Sequence, residues 1–198
     1  MEEQLSDLWQ RRLFEAESGL TKWLVETRGG EDLAAWISTQ REIFSALPES
    51  DDPEYWKRTF FHAQALMERF VVSRYGEAEL AQWTQASGDV YGHTAPEYGP
   101  GAAGLAARFA QQAASYASTY SVDECTSERA SITISHCAIW DYRERARSSG
   151  TPLTLNSPCT YCTKLTAANA RAKGYHASVS LAEQPDGHGC HWDIGRPA

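Results

Sequence analysis

The chain has 198 residues and a formal net charge of -8, and it carries seven Trp, nine Tyr and six Phe. That length suffices for a core that needs neither disulfide nor metal to hold it, and an aromatic fraction of 11% is too rich for a disordered segment. The acidic balance argues against a nucleic-acid partner, because phosphate backbones are gripped by clustered Lys and Arg, and the one basic stretch, "YRERARSSG", is interrupted by Glu144.

The N-terminus, "MEEQLSDLWQRRLFEAE", is acidic and amphipathic and does not read as a secretory signal. No run of about 18 apolar residues offers a membrane span, so the expectation is a cytoplasmic protein. Apolar residues recur at helical spacing: Leu5, Leu8, Trp9 and Leu13, then Leu20, Trp23 and Leu24, then Leu33, Trp36, Ile37, Ile43, Phe44 and Leu47. Asp52 before Pro53 predicts a helix start, a capping side chain followed by a residue whose missing N–H would be unpaired anyway, and Gly76 predicts its end. His62, beside Phe60 and Phe61, is expected in the core.

A short helix is predicted over "EAELAQWTQAS". The stretch "GDVYGHTAPEYGPGAAG", Gly88 to Gly104, holds five glycines and two prolines and predicts a long loop. Tyr91, His93 and Tyr98 are candidate substrate contacts on its rim. "LAARFAQQAASYASTY" then predicts a helix reaching Tyr120.

From Glu128 the pattern changes. Ile132 and Ile134 alternate with Thr133 and Ser135, as in a half-buried strand. "AIWDYRERARSSG" predicts a helix ended by Gly150, and Ser157 with Pro158 predicts another that stops at Gly174. "YHASVSLAE" and "CHWDIG" flank the turn "QPDGHG" as a hairpin, with His176 exposed on it. Residues 1–122 are thus mainly helical, and 123–198 form a strand, helix, helix, hairpin unit. The expected fold is α+β: one domain, 1–198, with a helical N-terminal half packed on a small C-terminal antiparallel sheet with two helices. Surplus apolar surface on the first helices makes a homodimer contact a candidate.

The densest chemistry lies in the cysteines. There are five, an odd number, which in a reducing compartment reads as thiols or ligands before disulfides. Cys137 ends the first strand, Cys159 and Cys162 share the first turn of the capped helix, and Cys190 opens the last strand. The spacing C-x21-C-x2-C-x27-C suits a tetrahedral zinc site built from Cys137, Cys159, Cys162 and Cys190, with an iron–sulfur cluster as the lesser option. His136, His188 and His191 adjoin these cysteines and allow mixed sulfur and nitrogen ligation.

Three other readings stay open. The thiols can be small core residues; Cys159 and Cys162 can be a redox dithiol; or Cys159 can be a nucleophile at a helix N-terminus with His136 or His191 as its base. Tyr161 and His188 are candidate substrate contacts. Asp141, one turn beyond Cys137, either orients a histidine or is an ordinary exposed helix residue. Cys125 lies outside the cluster and is assigned no catalytic role.

The order of Cys137, helix, Cys159 and Cys162 at a helix start, Gly174, and "SLAEQPDGHGCHWDI" resembles the C-terminal region of the L-2-amino-thiazoline-4-carboxylic acid hydrolase family. The resemblance covers the last third of the chain and is most specific at His136–Cys137 and from Leu181 to Ile194. It implies hydrolytic ring-opening of a cyclic amidine-like heterocycle: water adds at the sp2 carbon between two heteroatoms, and a C–N or C–S bond then breaks. The last hairpin and its cysteine are also similar to the 4-vinyl reductase type of domain. That likeness implies a non-catalytic small-molecule-binding module with a structural Cys-ligated zinc.

Overall fold

The computed structural model describes residues 5–95, 97–148, 150, 153–184 and 187–197. The chain gathers into two compact units, Met1–Tyr91 and Gly92–Ala198.

The first unit is helical: α1 (Leu5–Thr27), α2 (Gly30–Ser45), α3 (Pro53–Tyr75), a 3-10 turn at Glu77–Glu79, and α4, which begins at Leu80 and ends at Thr94. The helical stripes read from the sequence are its core, with Trp9, Trp23, Trp36 and Trp83 fully buried. Indoles buried this deeply need acceptors: Trp36 Nε1 donates to Thr21 Oγ1 at 2.7 Å and Trp83 Nε1 to the Ala16 carbonyl at 3.2 Å. Asp52 caps α3 as expected, accepting the Glu54 N–H at 2.9 Å, and Gly76 closes it at φ +89°. His62 is exposed, contrary to expectation. On a helix that buries Phe60 and Ala63, the residue two places after Phe60 turns to the opposite side.

The second unit is α+β. It comprises α5 (Gly101–Tyr116), β1 (Thr119–Cys125), β2 (Arg129–His136), α6 (Ala138–Ser148), α7 (Cys159–Ala172), β3 (His176–Gln184) and β4 (Gly187–Gly195). The strands form one antiparallel sheet in the order β1-β2-β4-β3. Helices α5 and α7 cover one face, burying Leu105, Phe109 and Ala170 against Ile132, Trp192 and Ile194. Gly150 and Gly174 sit past α6 and α7 with positive φ, as expected. Pro185 and Asp186 of the expected hairpin turn lie outside the described residues.

Two predicted boundaries fail. The expected loop from Gly88 to Gly104 is largely helix, since α4 runs to Thr94 and α5 starts at Gly101. Gly92 lies within α4 where the chain passes close to α7, since a Cβ there would press on that of Ala172 at 3.2 Å. The helix expected to reach Tyr120 stops at Tyr116 and is followed by strand β1. Its stop is Ala117 in the left-handed region, φ +65°, with its N–H bonded to the Ala114 carbonyl and that of Ser118 to Ala113. A left-handed stop made by alanine instead of glycine leaves no mark in the sequence.

Candidate functional site

The sheet brings two clusters of chemistry together, one on each face. Side chains alternate along β2 and β4: Ile132, Ile134, Cys190 and Trp192 face the helices, whereas Thr133 and His191, opposite each other in the register, face away.

On the helix side lies a cavity of about 60 Å3 whose wall includes Cys137, Cys162 and Cys190 beside Phe109, Ile134 and Trp192. Cys159 stands one helical turn before Cys162. Ser157 caps this turn, its Oγ accepting the Cys159 N–H at 3.1 Å, while Cys162 N–H reaches the Pro158 carbonyl at 3.0 Å. Each sulfur receives a donor. Cys137 takes the backbone N–H groups of Ile139 and Trp140 at the start of α6, Cys162 the Thr166 hydroxyl, Cys190 the Trp192 indole, and Cys159 the Trp140 indole at 3.4 Å. Trp140 is itself stacked on His188 at 3.8 Å.

Burial is the main influence on these thiols. It pushes Cys162 far above the ordinary thiol value, lifts Cys190 to about 11 and raises Cys137, and the neighbouring sulfurs push the same way. The four are therefore close enough to repel one another's charge. Their number and kind suit zinc, yet among the described residues no group of three or more His, Cys, Asp or Glu is arranged to hold a metal ion.

A second hollow, a groove of about 370 Å3, is lined by Thr133, Ser135, Ser180, Ala182 and His191 of the outer face together with His136 at the end of β2, and Ile134 and Cys190 border it as well. Gly189 permits the close approach of β4 to β2 beside it, since a Cβ there would collide with the Ile134 carbonyl at 2.3 Å. Both histidines of the groove are backed by carboxylates. His136 Nε2 lies 2.7 Å from Asp141 Oδ2. His191 Nδ1 lies 2.8 Å from Thr133 Oγ1, whose hydroxyl donates to Asp123, and its Nε2 is 3.4 Å from Asp193 Oδ1. Thr133 has a single hydroxyl hydrogen and gives it to Asp123, so Nδ1 of His191 must carry the hydrogen between them. Bonds from Thr133 and Ser121 hold the Asp123 carboxyl below the ordinary carboxylate value.

The structure thus joins the expected residues unevenly. His136 and His191 share the groove; Cys137, Cys162 and Cys190 share the cavity. Cys159 has the Trp140 indole as its side-chain partner and no bond to a histidine among the described residues. Asp141 does orient a histidine. Tyr161 is buried on α7, His188 is held by Trp140, and neither lines the groove or the cavity. Tyr98 packs under the Arg108 guanidinium at 5.7 Å and His93 is exposed. Tyr91 is 3% exposed within α4, which removes it from any rim. Asp123, Thr133 and Ser180 were not anticipated. Their signal was present: Tyr120 and Val122 alternate with polar residues before Asp123, as a strand does.

No family model matches the chain, and no curated protein and no solved structure matches it. Among the described residues no helix is long and apolar enough to cross a membrane.

Proposed function

We propose that this protein is a hydrolase for a small, cyclic amidine-like heterocycle, working in the groove on the outer face of the sheet with His136 and His191 as its acid–base pair. One observation carries this: two histidines, each bonded to a carboxylate or to a hydroxyl that reaches one, line the same 370 Å3 groove. The resemblance of the last third of the chain to the aminothiazoline-carboxylate hydrolases supports the substrate class. Size supports the choice of face. The groove, about 370 Å3, offers a ring-sized ligand more room than the thiol cavity of about 60 Å3.

Ring-opening requires a base to take a proton from water as it adds, and an acid to return one to the departing nitrogen or sulfur. The Asp141 carboxylate holds the Nε2 side of His136, which leaves Nδ1 as the base. That nitrogen is kept clear by Gly187, where a Cβ would sit 2.7 Å from it. Nδ1 of His191 is engaged by Thr133 at 2.8 Å, which leaves Nε2, 3.4 Å from Asp193 Oδ1, as the nitrogen that can carry a proton to the leaving group; His191 is the acid. Ser180 lines the groove as a hydroxyl donor for charge developing on the ring heteroatoms, whereas Ser135 gives its hydrogen to the Thr119 carbonyl at 3.4 Å.

The test is a panel of 2-amino-thiazolines and uncharged cyclic amidines, with loss of ring absorbance as the readout. Turnover that disappears in both His136→Asn and His191→Asn is expected. No turnover of any member, or turnover indifferent to both substitutions, would overturn the assignment.

A further inference from the structure

The thiols of the inner face take no part in that hydrolysis. Cys159 and Cys162 lie on one side of the first turn of α7, where residues three apart have Cβ atoms about 5–6 Å from each other. A disulfide needs about 3.5–4.5 Å. A first turn can close that difference by tightening toward 3-10 geometry, here by loosening the Cys162 N–H bond to the Pro158 carbonyl. The two sulfurs differ in setting. Cys159 is the outer one, half-buried, with the Trp140 indole N–H already aimed at it from 3.4 Å and Trp140 clamped by the His188 ring. Cys162 is the inner one, on the wall of the cavity with Cys137 and Cys190.

We propose that Cys159 and Cys162 form a thiol–disulfide exchange pair that reduces a low-molecular-weight disulfide, Cys159 attacking and Cys162 resolving. Cys159 loses its proton and its sulfur attacks one sulfur of the substrate. The substrate S–S bond breaks, one half leaves and takes up that proton as a free thiol, and the other half remains on Cys159 as a mixed disulfide. Cys162 then attacks the Cys159 sulfur, and its proton passes to the second departing thiolate. The substrate ends as two thiols, and the protein as one Cys159–Cys162 disulfide. This pair is independent of the groove chemistry.

The experiment uses the reduced full chain with oxidised glutathione as the probe and peptide mass spectrometry as the readout. A Cys159–Cys162 disulfide is expected, and in Cys162→Ser a glutathione adduct should accumulate on Cys159. On the unsubstituted chain, Cys159 should alkylate with iodoacetamide at least tenfold faster than Cys162, a measurement that decides the matter even where a serine variant fails to fold. Glutathione confined to the exposed Cys125, equal alkylation of Cys159 and Cys162, a disulfide joining other cysteines, or one equivalent of retained zinc protecting all four thiols would each overturn the proposal.

Discussion

Across β2, β4 and β3 one row of residues on the inner face reads Ile134, Cys190 and Leu181; the neighbouring row, one residue along each strand, reads Thr133, His191 and Ser180 on the outer face. Ile134 and Cys190 of the first row belong to an apolar wall with thiols in it, while Leu181 is 59% exposed; the second row belongs to a polar groove with paired histidines. A two-residue repeat lets the same strands serve both. It also couples them, because a slip of one residue would exchange the two sets of side chains. Surroundings separate their chemistry: on the inner face burial favours neutral thiols, and on the outer face hydroxyl bonds from Thr133 and Ser121 favour the charged form of Asp123.

The largest expected effect comes from breaking the outer face alone. His136→Asn or His191→Asn should lower kcat/KM by about 100-fold or more, the usual weight of a general acid or base, while Cys162→Ala leaves ring-opening unchanged. A comparable loss on the thiol side of the glutathione assay, with hydrolysis intact, would show the two faces to be separable. Next is Ile132→Ala, which removes a fully buried side chain from the inner wall and should cost about 2–5 kcal/mol of stability by chemical denaturation.

Gly187→Ala is smaller and more pointed. The added methyl presses on His136 Nδ1, and turnover should fall roughly ten- to a hundredfold with the circular dichroism spectrum preserved. The weakest effect is the pH dependence of stability, and it has opposite signs on the two faces. Cys137, Cys162 and Cys190 have raised values in the fold, so the stability they contribute is intact below the ordinary thiol value of 9.0 and declines as pH rises above it, for Cys190 through about 11. Asp123 has a lowered value, so its contribution is present above 3.8 and is lost as pH falls below that. Cys190→Ala should reduce the alkaline decline and Thr133→Val the acid one, both read as unfolding midpoints against pH.

Much of this was legible in the sequence because it is local. The stripe of tryptophans in the first helices, the Asp52 and Ser157 caps, the stops at Gly76, Gly150 and Gly174, and the alternation from Ile132 to Ser135 each depend on neighbours a few residues away. The boundaries that failed carry no such local mark. Gly92 lies inside α4, close to Ala172, and α5 stops at an alanine in a left-handed conformation.

The site divides the same way. Composition and spacing alone determined that cysteines and histidines concentrate in the last third of the chain, that Cys159 and Cys162 share a capped first turn, and that the unit is α+β. Which of those groups meet was decided by strand register. Antiparallel pairing sets Thr133 against His191 and Ile134 against Cys190, and brings Asp123 on β1 within 3.7 Å of His191. Adjacent residues of a strand point to opposite faces, so of the "CH" of Cys190 and His191, one motif in the sequence, only Cys190 joins the thiol cavity, while both border the groove.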